Sequence, residues 1–216
     1  MGAIARNAAN NITTAGVFTS GAITNASVTG ITVLANASDG ITFISSQTAS
    51  ASATISFTTG INSTYKAYKF VFSNIHPATD GANFSFNLST DSGSNYNVTK
   101  TSTHFQAYHL ENGTESGTLY QTSVDLAQST DFQALSNALG NDNDQSTSGT
   151  LTIFNPASTV YVKHFISTMN NTHSADYQTN YFIAGYGNTT SAVNAIQFKF
   201  SSGNIDAGTI YLYGIK

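Results

Sequence analysis

Cysteine and tryptophan are absent from this 216-residue chain, proline occurs twice, and only 8% of residues are charged. The lack of cysteine excludes disulfides and thiolate metal centres. The lack of tryptophan removes a common sugar-stacking side chain, although 11 Tyr and 14 Phe can replace it. An average soluble domain carries about 25% charged residues. Here Ser, Thr, Asn and Gly take their place, so hydroxyls and amides keep the surface wet. The seven basic residues are scattered at Arg6, Lys66, Lys69, Lys100, Lys163, Lys199 and Lys216. No basic patch forms and the net charge is −4, which argues against a nucleic-acid partner. No apolar run approaches the roughly 18 residues of a membrane span. The opening MGAIARNAANNITTAGVF lacks the continuous apolar core of a secretory signal.

Two textures are present. Residues 1–40 are small and polar-aliphatic, with Phe18 their one aromatic. Their apolar residues, among them Ile4, Ile12, Val17, Phe18, Ile23, Val28 and Ile31, are too sparse to offset the entropy of ordering the segment alone. The segment reads either as a flexible leader or as an N-terminal arm for anchoring and oligomerisation. In the second case those residues bind a partner or copies of the same chain.

Residues 41–216 form the second region, where period-two alternation dominates. YKAYKFVFSNI (65–75) sends Tyr68, Phe70 and Phe72 to one face, and NFSFNLST (83–90) does the same with Phe84, Phe86 and Leu88. Similar runs begin near residues 41, 53, 103, 118, 149, 159, 181, 195 and 208. Turn-rich stretches such as TDSGSN, ENGTESG and SSGN separate them. Pro77 and Pro156 fall in connections. One stretch departs from the pattern: Ser129 is placed to cap a short helix over Asp131–Leu139, with Gly140 ending it, or to open a loop. The expected fold is all-β: an antiparallel β-sandwich, jelly-roll-like, preceded by an extended arm. The final run, YLYGIK, reads as scaffold, safe if paired on both sides.

Catalytic patterns are weak. No G-x-S-x-G elbow occurs, and most acids sit in turns that recruit Asp for local hydrogen bonds. His104 and His109 point to opposite faces of a strand, which does not suit a shared metal. GNDNDQ (140–145) is the one dense oxygen cluster, readable as a calcium loop or as a polar turn. We therefore expect no enzyme activity, no cofactor and no resident metal.

Four segments carry a likeness to a known group: MGAIARNAANNITTAGVFTSGAIT, FVFSNIHPATDGANFSFNLSTDSGSNYNVTKT, DLAQSTDFQALSNALGNDNDQSTSGTLTIFNPASTVYVKHFIST and NTTSAVNAIQFKFSSGNIDAGTIYLYGIK. Together they resemble structural proteins of tailed phages, especially marine and cyanobacterial ones, with a fibre- or decoration-like C-terminal β domain. The resemblance implies a virion protein assembled in the host cytoplasm, as a capsid decoration (cement) or a short fibre or tail appendage. It brings no catalytic residues. The expected partners are copies of the chain, as a homotrimer, and a major capsid or tail protein held through residues 1–40, with no nucleic acid and no membrane. The alternative is a host-glycan-binding module for receptor recognition. Its sugar-stacking residues would be Tyr108, Tyr120, Tyr177 and Tyr181, provided they line one exposed concave surface.

Overall fold

Alternating side chains need two apolar faces to meet, and two sheets supply them. The computed structural model describes residues 40–216. The arm residues Ile4, Ile12, Val17, Phe18, Ile23, Val28 and Ile31 lie outside the described residues. Twelve strands follow in order: β1 (Ile41–Thr48), β2 (Ile55–Phe57), β3 (Ala67–Pro77), β4 (Phe84–Ser89), β5 (Lys100–Leu110) and β6 (Ser116–Tyr120), then β7 (Gln133–Ala134), β8 (Thr147–Phe154), β9 (Lys163–His173), β10 (Tyr177–Gly187), β11 (Ala195–Phe200) and β12 (Ile205–Ile215). The described residues hold no helix.

The strands form an antiparallel β-sandwich. One sheet has eight strands in the order β1-β12-β3-β8-β9-β10-β5-β6, the other four in the order β2-β11-β4-β7. From β1 to β5 every successive strand changes sheet, the crossing habit of a jelly roll. The terminal strand β12 lies between β1 and β3 and is paired on both sides. No backbone row of that strand is left open, which is why it works as scaffold.

The aromatic faces read from the sequence meet at the centre. Tyr68, Phe70 and Phe72 of β3 are all buried, Phe70 against Phe57 of β2 and Phe198 of β11, Phe72 against Phe198, and Tyr68 edge-on to Tyr65. Phe86 of β4 meets Phe165 of β9 edge-on at 5.2 Å. The small sheet covers only part of the larger one, so the inner face of the large sheet runs on uncovered near β6.

All six residues of β4 are buried, because its second side is covered too. There Asn87 Nδ2 donates to the carbonyls of Tyr96 and Thr130. Lys100 Nζ donates to Asn87 Oδ1 at 2.5 Å and to the Val98 carbonyl. Burial lowers the Lys100 pKa to about 7, with Asp131 pulling weakly the other way. Lys163 is buried as well and donates to the carbonyls of Ser158, Tyr161 and Thr189. Among the described residues neither ammonium meets a carboxylate; carbonyl oxygens satisfy both.

The segment read as a short helix or a loop takes neither form throughout, since Gln133–Ala134 is a strand. Ser129 Oγ does accept from the Asp131 N–H, as a cap would. The following backbone, however, is spent on β4: the amides of Leu135 and Ser136 donate to the Phe84 carbonyl, and Ser136 Oγ accepts from the Phe84 N–H. Pairing with an open strand edge outweighs a helix of about two to three turns, because it also buries Leu135 and Leu139.

Candidate functional site

Two surfaces stand out, one on each side of the eight-stranded sheet. Alternation puts half of each strand outward. Of the formally charged residues in these eight strands, Lys100 and Lys163 are buried, leaving Lys69 and Asp206 accessible. The remaining outward positions are mostly Thr, Ser, Asn and exposed apolar side chains. Ile41, Phe43, Phe105, Phe154 and Ile166 are all between 41% and 59% exposed. Phe105 stacks on Phe182 at 5.1 Å and Phe43 meets Tyr213 at 5.7 Å. Further along β10 and β5 from the Phe105–Phe182 pair, the small Ala184 leaves a shallow apolar hollow walled by Thr103, Ile166 and Tyr186. A protein of ordinary charge content would carry Lys and Glu across such a face.

The second surface is the uncovered inner face at the β5–β6–β10 corner. Here lies a cleft of about 430 Å³ lined by Gln106, Tyr108, Glu115, Leu119, Gln121 and Tyr177. Tyr108 and Tyr177 meet edge-on at 5.9 Å. His173 stacks on Tyr177 at 3.9 Å. Tyr108 Oη donates to Glu115 Oε1 at 2.5 Å, and that bond holds the phenol pKa above its ordinary range. Burial moves the Tyr177 pKa up and the His173 pKa down, so the stacked pair favours its neutral forms. At the back of the cleft Gln121 Nε2 donates to Gln106 Oε1 at 2.7 Å. Towards the core on the same face, Thr179 and Asn171 sit directly opposite each other. Their buried side-chain polar atoms have no hydrogen-bond partner among the described residues.

The four tyrosines read as one surface separate. Tyr108 and Tyr177 come together. Tyr120 pairs with Phe105 and therefore lies on the outward face, where its hydroxyl donates to Asp125. Tyr181 is a correction: it is fully buried, and its hydroxyl donates to the Asn137 carbonyl. It shares a face with Tyr177 but lies four residues further along β10, beneath the segment that ends at Gly140. Sequence reasoning missed Glu115, Gln106 and Gln121. Glu115 lay in a turn, where an acid has an ordinary structural use.

Asp125 and Asp131 line another hollow, beside Phe132 and Lys199. Each is engaged, Asp125 by Tyr120 and Asp131 by Ser129 Oγ. In GNDNDQ the turn closes on itself, Gln145 N–H donating to the Asp142 carbonyl and Asp142 N–H to Gln145 Oε1. Among the described residues no group of three or more His, Asp or Glu gathers at metal-binding distance. Comparison with family models, with curated proteins and with solved structures finds no match for this chain.

Proposed function

We propose that this chain is a non-enzymatic structural component of a tailed-phage particle. It acts as a β-sandwich on the particle surface, either a capsid decoration or a short fibre or tail appendage. One geometric observation carries the assembly half of this reading: a broad outward face of an eight-stranded sheet whose strands present only Lys69 and Asp206 as accessible charges. Copies of the chain can approach one another across such a face while desolvating few charges, and its exposed Ile and Phe side chains gain from burial. The phage half is supported by the sequence resemblance described above. Residues 1–40 then attach the domain to a capsid or tail protein, and three copies share the attachment, multiplying weak contacts through effective concentration.

Copy number in purified particles tests the reading. Gel densitometry or cryo-EM is expected to find the chain in the particle. Hundreds of copies identify a decoration, and a few to a few dozen identify a fibre or tail part. A particle without it contradicts the proposal.

A further inference from the structure

The inner-face cleft is a separate feature, since assembly through the outward face makes no use of it. We propose that the cleft between Tyr108 and Tyr177 binds a neutral sugar ring of a glycan. The arrangement has the parts that such a ligand needs. Tyr177 offers an aromatic surface for the C–H face of a pyranose. His173 stacks on one side of that ring without lining the cleft, whereas Tyr177 does line it. Tyr108 braces its edge, so little side-chain freedom is lost when a ligand docks.

The polar groups are fixed and incompletely used. Tyr108 occupies one oxygen of Glu115, and no hydrogen bond among the described residues occupies the other. Gln106 is only 5% exposed, yet its Nε2 donor has no partner among the described residues and its side chain lines the cleft. Gln121 spends its Nε2 on Gln106 and leaves its own carbonyl oxygen open. A carboxylate oxygen, an amide oxygen and an amide N–H therefore stand without partners on residues that line the same cleft as the aromatic ring. Neighbouring hydroxyls of a sugar both donate and accept, and this set answers them. An aromatic platform with a few fixed polar groups is the ordinary composition of a small-molecule site. The charge selects within the sugars. Glu115 is the ionisable acid among the lining residues, and no Lys or Arg joins it. Uronic and sialic acids would meet a like charge with no cation to offset it.

This inference is independent of the particle reading, and the full chain in solution tests it. Saturation-transfer NMR would be run with methyl glycosides of glucose, galactose, mannose and N-acetylglucosamine, and with glucuronic acid. Saturable binding is expected for at least one neutral glycoside. Binding is expected to weaken at least about tenfold in Glu115→Gln and in Tyr177→Ala, and to hold in Tyr161→Ala, whose exposed ring lies outside the cleft. Glu115 sits on an exposed hairpin, so its conservative variant keeps the test valid if Tyr177→Ala unfolds. Three results would overturn the proposal: no neutral glycoside binding up to about 50 mM, roughly −2 kcal/mol; unchanged binding in Glu115→Gln; or tighter binding of glucuronic acid than of the glucoside.

Discussion

Phe198→Ala is expected to remove about 3–5 kcal/mol of unfolding free energy, the largest loss of any single truncation proposed here. Phe198 lies on β11, the central strand pair of the small sheet, and is fully buried. Its ring meets Phe72 at 5.2 Å, Phe70 at 5.3 Å, Phe84 at 5.8 Å and Phe57 at 6.3 Å. Two of these partners sit on the opposite sheet and two on neighbouring strands of its own. Truncation therefore opens a cavity at the seam between the sheets, where strands fixed by hydrogen bonds on both sides cannot collapse into it. Phe105→Ala is the matched control. Its ring is 45% exposed on the outward face, and its loss from a single chain is expected to cost no more than about 1 kcal/mol. Urea unfolding of the two variants measures the difference. Equal losses would mean that the seam is not where the stability lies.

The second large effect depends on pH. His104 is fully buried, packs edge-on against Tyr181, and has no hydrogen-bond partner among the described residues on either ring nitrogen. Burial lowers its pKa from 6.5 to about 4, against a weak opposing pull from Asp125. The unfolded chain therefore binds a proton between those values that the folded chain refuses. The His104 contribution is complete above pH 6.5 and is lost as pH falls through the window toward about 4. The expected loss is about 2 kcal/mol between pH 7 and pH 5. His173 is shifted in the same direction by burial and adds to the slope. Asp91 does not interfere, because hydrogen bonds from Ser89 and Asn95 hold its pKa at about 2, below the window. In His104→Leu the slope should flatten to the remainder from His173 and, near pH 7, Lys100, with stability at pH 7 at least equal to the parent, since no unpartnered nitrogen stays buried. A variant that keeps the full slope would remove His104 from the account.

Particular residues show how far sequence reading carries. Tyr68, Phe70 and Phe72 were legible as a buried face, because period-two alternation reports which side of a strand a residue occupies. It does not report how far along the strand the cover extends. Tyr177 and Tyr181 share a face of β10, yet one lines a cleft and the other is sealed beneath a segment more than 40 residues earlier in the chain. The same limit hid the candidate cleft. Glu115 joins Tyr108 through a hairpin, while Tyr177 reaches them only through the pairing of β10 with β5. Residues 131–139 were open to a helical reading because their local signals fit a cap. The Phe84 backbone, which claims those amides, is remote in sequence.

The outward face supports the central claim, and the mass of the full chain in solution tests it most directly. Native mass spectrometry or light scattering at about 10 μM, where an association free energy of roughly −7 kcal/mol already assembles the chain, is expected to show three chains. Ile166→Lys, which places a charge at the middle of the exposed apolar positions, is expected to show one. A single chain for the parent protein, or an unchanged assembly in Ile166→Lys, would contradict the claim that this neutral face is built to pair with its own copies.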